Sequence, residues 1–217
     1  MANLTDLTDL MTEIRDRLAD GGDWCSLEKA QALAAMVIGF RPRVVCEIGV
    51  WMGGSLVPMA LALRKLRDLD VAAGRVPVAR RAIAIDAWSP VASCDGQGET
   101  DAAWWRSVDH DAAHQAFSER LGRHGLSELC EVVRAPSDEA PVPEAIDLLH
   151  VDGNHAGQAL RDIERFAPSV RSGGILVLDD VSWYGGHVAL GRDAAEGLGF
   201  RELHALGTGV VMQRIKG

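Results

Sequence analysis

The sequence shows no membrane-spanning apolar run, no cysteine pattern of a disulfide framework and no zinc-binding motif. Its four cysteines, Cys25, Cys46, Cys94 and Cys130, form no CxxC pair, so neither a zinc site nor a disulfide framework is predicted. No apolar run approaches the ~20 residues of a membrane-spanning helix, and the amino terminus has no apolar signal-peptide core. A reduced, cytoplasmic protein with no membrane partner is therefore expected.

Positive charge is also scarce. The 22 Lys and Arg residues are outnumbered by 31 Asp and Glu residues, the formal net charge is -9, and no basic stripe is present. This argues against binding to DNA or RNA, which depends on neutralising phosphates. With 217 residues, of which 47% are hydrophobic and 24% charged, the whole chain (1–217) is predicted to form one domain with an ordinary core.

Apolar periodicity predicts two amino-terminal helices within 1–40, followed by strands that alternate with helices. Gly21-Gly22 is expected to end the first helix, and Ser26 to be the N-cap of the second. Strands are predicted at 43–48, 82–86, 129–134, 146–152 and 174–180, later helices at 55–66, 112–124 and 156–170, and a terminal hairpin at 200–206 and 209–215. This pattern predicts a doubly wound, Rossmann-like α/β fold with a mostly parallel seven-stranded sheet and a carboxy-terminal antiparallel hairpin strand.

The segment 87–111 shows no clear periodicity and is predicted to be an unstructured loop. Loops of this length inside a compact domain are usually lids or binding loops, so a substrate lid is expected here. The Trp104-Trp105 pair would either cover an aromatic substrate or simply pack within the loop.

Two of the predicted apolar strands end at acidic residues, the first at Asp152 and the second at Asp179-Asp180. Ligands bind outside the carboxyl ends of strands in open α/β sheets, so the three carboxylates are expected to meet there. Carboxylates that close repel one another unless a proton or cation intervenes, and oxygen ligands suit Mg²⁺. The alternative is that Asp152 caps the next helix and the other two begin a turn. His155 would either accept a proton near neutral pH or be merely solvated.

A glycine-rich turn at 47–55 (EIGVWMGGS) joins the first predicted strand of the sheet to a helix. Gly49 and Gly53 would let the backbone approach a ligand, while the helix N terminus offers free N–H donors. The spacing is not that of the dinucleotide-binding GxGxxG motif. A plain strand-to-helix turn that needs glycine is the alternative.

Further binding residues are expected after the next two strands. Asp86 could accept hydrogen bonds from both hydroxyls of a ribose, or it could cap the loop that follows. Ala135 and Ser137 fall where the edge of an adenine would lie, although turn chemistry explains a serine there equally well.

With these motifs, the sequence resembles class I S-adenosylmethionine-dependent methyltransferases, and among them the small metal-dependent O-methyltransferases. Over about 41–180, residues 47–56 are similar to the cofactor loop, Asp86 to the ribose-binding acid, 151–155 to the metal-binding turn and 178–183 to the second metal segment. The family often has a lysine where His155 falls. The Trp-rich lid is closer to bacterial members that tailor secondary metabolites.

The resemblance implies transfer of a methyl group from S-adenosylmethionine to a hydroxyl of a small molecule, a secondary-metabolite sugar or a phenol. The implied cofactor contacts are Glu47, Gly49, Gly53, Ser55, Asp86, Ala135, Ser137 and Asp152. The implied ligands of a divalent metal, expected to be Mg²⁺, are Asp152, Asp179 and Asp180. His155 and Asp152 would be the catalytic residues, and a homodimer is compatible with the sequence.

Three alternatives stay open at this stage. A metal-independent methyltransferase would leave the acids with a structural role only. A nicotinamide-dependent oxidoreductase is disfavoured, because GxGxxG is absent and the only tyrosine, Tyr184, is followed by glycines rather than by a Tyr-x-x-x-Lys pattern. A module that binds a nucleoside without turnover would use the same pocket.

Overall fold

The computed structural model describes residues 4–18, 24–182 and 186–215. Its helices are α1 (Leu4–Leu18), α2 (Leu27–Phe40), α3 (Leu56–Ala72), α4 (Pro90–Cys94), α5 (Glu99–Ser107), α6 (His110–Arg123), α7 (Gln158–Phe166) and α8 (His187–Gly197), with a 3-10 turn at Ala167–Ser169. Its strands are β1 (Val44–Ile48), β2 (Arg81–Asp86), β3 (Cys130–Arg134), β4 (Ile146–Val151), β5 (Val170–Leu178), β6 (Phe200–Leu206) and β7 (Gly209–Arg214). Gly21, Gly22 and Tyr184 lie outside the described residues. None of the helices in these ranges combines the length and the hydropathy of a membrane-spanning segment.

The strands form one seven-stranded sheet in the order β3-β2-β1-β4-β5-β7-β6. The first five pair in parallel, and β7 runs antiparallel to both β5 and β6. The predicted fold is therefore confirmed, including the antiparallel hairpin. The chain reverses its direction of travel across the sheet between β1 and β4, and a crevice at such a switch point is where open α/β sheets bind ligands.

Alternate residues of the central strands face two separate hydrophobic clusters. In β4, Leu148 packs in the cluster beneath α2 and α3, whereas Leu149 packs in the cluster beneath α7 and α8. All six residues of β4 are buried, as is typical of parallel strands covered by helices on both faces. These apolar side chains hold the sheet between two layers of helices.

Ser26 is the N-cap of α2, as predicted, and its hydroxyl accepts a hydrogen bond from the backbone N–H of Lys29 at 3.1 Å. A cap of this kind contributes about 1 kcal/mol. Leu33 and Val37 on the buried face of α2 hold the helix on the sheet. The first turn of α2 consequently lies at the carboxyl edge of the sheet.

The segment 87–111 is largely helical, so the prediction of an unstructured loop is wrong. Ser89 precedes a helix with proline in its first turn, and Gly98 precedes one with acids in its first turn, two features that favour helix N termini. The side chain of Asn154 donates a hydrogen bond to the carbonyl of Asp95 at 2.8 Å and ties the segment to the end of β4. Helices of five and nine residues are too short to show a clear 3.6-residue period.

The sequence reasoning also missed α8, which packs against α7. The helices meet near Gly191, where a Cβ would lie at an ordinary contact distance of 3.4 Å from the side chain of Ile163. The start of β5 is earlier than predicted, at Val170, because Ile146 pairs with Val170 before the register shifts. Neither difference changes the carboxyl ends of the strands.

Candidate active site

A cavity of about 660 Å³ opens at the carboxyl edge of the sheet, above the switch point between β1 and β4. It gathers loops from five parallel strands, the first turn of α2 and part of the helical segment after β2. Of the residues predicted to act in binding or catalysis, Gly49, Ser55, Asp86, Ser137, Asp152, His155, Asp179 and Asp180 line this cavity. The fold therefore brings the two halves of the predicted site into one space.

Gly49 is required by a close approach of two backbones. Its φ of +83° lies in the left-handed region, and a Cβ there would lie only 2.3 Å from the carbonyl oxygen of Asp152. Its N–H donates to the carbonyl of Ile85 at 2.9 Å. The glycine thus lets the turn after β1 lie directly against Asp152 at the end of β4.

Three of the predicted cofactor residues lie behind the cavity wall rather than on it. Glu47 is fully buried and accepts hydrogen bonds from the Ser55 hydroxyl and from Nδ1 of His150. A Cβ at Gly53 would lie 2.7 Å from the Phe117 ring, so this glycine serves the packing of α6. Ala135 donates its backbone N–H to the carbonyls of Asp86 and Val133. None of these three is among the residues that line the cavity, and their roles in cofactor binding stay a prediction.

Asp86 organises two turns at once. Its Oδ2 accepts hydrogen bonds from the N–H groups of Val50 (2.9 Å) and Trp51 (2.8 Å), and its Oδ1 accepts one from Trp88 (2.7 Å). Trp51 and Trp88 have positive φ angles of 49° and 40°, a conformation that is costly without such support. A carboxylate has about four acceptor positions, so three backbone bonds leave capacity for a hydroxyl. The loop-capping role is observed, and it is compatible with the ribose role.

Carboxylates and an imidazole converge beyond Gly49. Nε2 of His155 lies 3.2 Å from Oδ2 of Asp180 and 4.0 Å from Oδ1 of Asp152. Asp180 has a φ of 50°, and its Oδ1 accepts a hydrogen bond from the Thr208 hydroxyl at 2.7 Å. One ligand atom from each of Asp152, His155 and Asp180 falls within 4.8 Å of the others, as the donors of one metal ion would. This donor set fits a divalent cation.

Asp179 shares the ammonium of Lys29 with Asp152, and it is not grouped with His155 and Asp180. Nζ of Lys29 donates to Oδ2 of Asp152 at 2.9 Å and also contacts Oδ2 of Asp179. The other oxygen of Asp179 accepts a hydrogen bond from the Asp180 N–H at 3.0 Å. The structure therefore groups Asp152 and Asp180 with His155, while Asp179 faces a lysine.

Asp152 and Lys29 stabilise each other's charged forms. Burial alone would raise the pKa of Asp152, but His155 and Lys29 outweigh burial and lower this pKa to about 2. Burial likewise opposes the charge of Lys29, but Asp152 holds the pKa of this lysine above its ordinary value. Asp152 is thus ionised at neutral pH, which suits an ionic ligand rather than a proton acceptor.

A second buried group supports Asp152 from below. His150, on β4, is fully buried, with Nδ1 3.0 Å from Oε1 of Glu47 and Nε2 4.0 Å from Oδ2 of Asp152. Nε2 has no hydrogen-bond partner among the described residues. Burial raises the pKa of Glu47 above its ordinary value. The sequence gives no signal for His150, because it lies inside an apolar strand.

Four tryptophans form an aromatic cluster at the mouth of the cavity, here called the indole cluster: Trp24, Trp51, Trp104 and Trp105. Trp24 stacks on Trp51 with centroids 5.7 Å apart and planes inclined by 3°, although Trp24 is 65% exposed. Trp104 and Trp105 pack edge to face at 4.8 Å, and Trp105 also lines the cavity. The two rings pack against each other, as one of the two alternatives expects, and the substrate-covering role stays a prediction.

The opposite end of the cavity contains a buried carboxyl. Gln158 donates hydrogen bonds to the Ser137 hydroxyl at 3.0 Å and to Oδ1 of Asp162 at 2.9 Å. Asp162 is fully buried, its Oδ2 has no hydrogen-bond partner among the described residues, and burial raises its pKa to about 6. Ser137 is the predicted adenine contact, so this end is polar where a nucleobase edge is expected.

Comparison with known proteins assigns the family. A sequence profile described as a methyltransferase domain matches residues 46–181, which is more than half of the chain. No curated protein sequence matches significantly. The chain therefore belongs to this methyltransferase family. The predicted enzyme class is confirmed, and the oxidoreductase alternative is wrong.

Solved structures share the fold at low identity. The O-methyltransferase NovP is 18% identical, with 88% of this chain and 81% of that chain covered and a TM-score of 0.70. TomG from Streptomyces achromogenes, an O-methyltransferase involved in tomaymycin synthesis and solved with S-adenosylmethionine, is 18% identical, with coverages of 100% and 92% and a TM-score of 0.59. An O-methyltransferase from Bacillus cereus, solved with S-adenosylhomocysteine, is 14% identical, with coverages of 100% and 93% and a TM-score of 0.57.

Proposed function

We propose that the protein is an O-methyltransferase that methylates a hydroxyl of a small molecule, a secondary-metabolite sugar or a phenol, with the help of a divalent cation. The observation that carries this proposal is the union of two half-sites in one cavity: the turn at Gly49 with Asp86, and the cluster of Asp152, His155 and Asp180. The first half suits a nucleoside with a charged tail, and the second half suits a cation and a hydroxyl.

S-adenosylmethionine is the proposed methyl donor. Its ribose would bind Asp86, its adenine would lie toward Ser137, and its amino-acid end would lie near the turn at Gly49 and Ser55. All four residues line the cavity. The positive end of the α3 helix dipole favours a carboxylate there, since a helix N terminus attracts anions.

The divalent cation, for which Mg²⁺ is the expected ion, would be held by Asp152 and Asp180, with His155 or Asp179 as a further ligand. Oxygen ligands favour such hard cations. A bound cation would lower the pKa of the acceptor hydroxyl, as it does for bound water.

His155 is the proposed proton acceptor. Its Nε2 cannot bind a cation and accept a proton at once, so the base role requires a cation held by carboxylates alone. Asp180, 3.2 Å away, would stabilise the imidazolium that forms. The acceptor oxygen then bonds to the methyl carbon, the sulfur–methyl bond breaks, and S-adenosylhomocysteine leaves. Much of the acceleration would come from holding the two reactants together.

Calorimetric titration with S-adenosylmethionine and S-adenosylhomocysteine, with and without Mg²⁺, tests the cofactor half. Both nucleosides are expected to bind, and Asp86→Asn is expected to weaken binding, whereas Asp68→Asn at an exposed ion pair is the matched control. Failure of both nucleosides to bind would overturn the proposal.

Transfer of a labelled methyl group to a panel of sugars, phenols, amines and thiols tests the acceptor half. Methylation of hydroxyl compounds is expected, with loss of activity in excess chelator. Labelling confined to amines or thiols would refute O-methylation.

One observation favours a second candidate, a metal-independent methyltransferase. Lys29 already neutralises part of the charge on Asp152 and Asp179 without a metal ion. Full activity in excess chelator would support this candidate and refute the metal role.

A further inference from the structure

Lys29 lies deep within the acidic site. Its side chain is only 13% exposed, and its ammonium lies between Oδ2 of Asp152, at 2.9 Å, and Oδ2 of Asp179. These two acids end neighbouring parallel strands, β4 and β5, whereas the lysine comes from a helix packed across them. The ammonium therefore bridges two of the three acids that were predicted to bind a metal.

Local helix energetics do not explain a lysine at this position. Lys29 lies in the first turn of α2, just after the Ser26 cap. Cations are favoured near the carboxyl end of a helix and disfavoured near its amino end. The placement is compensated by the carboxylates of Asp152 and Asp179, so the relevant interactions of Lys29 are with the site rather than with its own helix.

The remaining donor atoms face away from Lys29. Oδ1 of Asp152 turns toward Nε2 of His155, which is in turn 3.2 Å from Asp180. An ion bound to these three residues would share the Asp152 carboxylate with the ammonium. An ion that also took Asp179 would have to displace Lys29. In both arrangements like charges are only a few ångströms apart in a partly buried site, where screening is weak.

We infer that Lys29 is an internal competitor of the divalent cation, holding Asp152 and Asp179 while the cation is absent and weakening its binding. This inference rests on the proposed metal role. In the cation-free protein Lys29 would hold the carboxylates of Asp152 and Asp179 together. When the divalent cation binds, the ammonium would move away from Asp179 or from Asp152.

Calorimetric titration with Mn²⁺ tests the competition directly. Lys29→Met removes the charge and keeps the length, and the dissociation constant for Mn²⁺ is expected to fall at least tenfold. Lys65→Met is the matched control, because Lys65 also projects from a helix and pairs with one carboxylate, Asp6, at 2.9 Å with 24% exposure. No change is expected there. An unchanged or larger dissociation constant in Lys29→Met would overturn the inference.

A measurement on the unmodified chain covers the case in which Lys29→Met does not fold. The sequence contains only three lysines, so the ε-methylene signals of ¹³C-labelled lysine are few enough to follow individually. Saturating Mg²⁺ is expected to shift one signal strongly and to leave that of Lys65, identified with Lys65→Met, in place. Equal responses of all signals, or none, would contradict the inference.

The outcomes also separate this inference from the proposed function. Tight Mn²⁺ binding that ignores Lys29→Met would refute the competition and leave the metal role intact. No Mn²⁺ binding to either protein would refute both. If the unmodified protein does not bind S-adenosylmethionine, the proposed function is refuted independently of the metal result.

Discussion

Replacing Asp162 with asparagine should remove the loss of stability that the unmodified protein undergoes as the pH rises from about 4 to about 6. Asp162 is fully buried on α7, and burial raises its pKa from 3.8 to about 6. Between these values the folded protein keeps a proton that the unfolded chain releases. Stability is therefore fully present below about pH 4, falls as the pH rises, and reaches its lower limit above about pH 6.

The magnitude follows from the size of the shift. A difference of about 2 pKa units corresponds to about 3 kcal/mol at 1.36 kcal/mol per unit. Asparagine keeps the oxygen that accepts from Gln158 but places an amide where Oδ2 now lacks a partner. A buried unpaired donor costs about 1–3 kcal/mol, although this cost does not vary with pH.

The pH dependence, rather than the absolute stability, is consequently the diagnostic quantity. Urea unfolding at pH 4 and pH 8 is the assay, and the difference in unfolding free energy between Asp162→Asn and the unmodified protein should grow by about 2–3 kcal/mol toward pH 8. Asp138→Asn, at an exposed neighbour on the same glutamine, should change stability by less than about 0.5 kcal/mol at either pH. A difference for Asp162→Asn that is constant from pH 4 to pH 8 would refute the reasoning.

Three further changes test the site. Gly49→Ala combines a positive φ with a backbone clash and should lower the unfolding free energy by at least about 2 kcal/mol, whereas Gly39→Ala, with open space at its Cβ and no positive φ, should not lower it; equal urea midpoints would contradict this. His155→Asn should lower kcat by about 10²-fold or more and leave the calorimetric affinity for S-adenosylmethionine unchanged, and an unchanged kcat would exclude the base role. Trp24→Ala should raise KM for the acceptor without changing the affinity for the methyl donor, because the exposed ring stacks on Trp51 at the cavity mouth; a change confined to the donor would place the acceptor elsewhere.

The main elements of the fold could be predicted from local patterns. The strands before Glu47–Gly49, Asp86 and Asp152 are short apolar runs that end at polar residues, and their alternation with helices requires a parallel sheet. Since parallel strands present their carboxyl ends at one edge, the shared cavity followed from chain order alone. The two short helices within 87–111 could not be predicted in the same way, because their order depends partly on contacts such as that of Asn154.

Only part of the candidate site could be predicted from the sequence. Residue type and position identified Gly49, Asp86 and Asp152, since each lies at the end of a strand or directly after it. The direction of a side chain is a tertiary property, and it separates Gly49, which faces the cavity, from Glu47, which faces His150 in the interior.

The sequence by itself determined which acids lie at the carboxyl edge, because a strand that ends in a carboxylate must present it there. Only the tertiary structure decided which of these acids lie close to one another and which of them pair with the ammonium of Lys29. Lys29 and Asp152 are 123 residues apart in the chain, and their contact depends on how α2 packs across β4 and β5. No local pattern encodes that distance, so the lysine that neutralises the acids becomes apparent only in the folded chain.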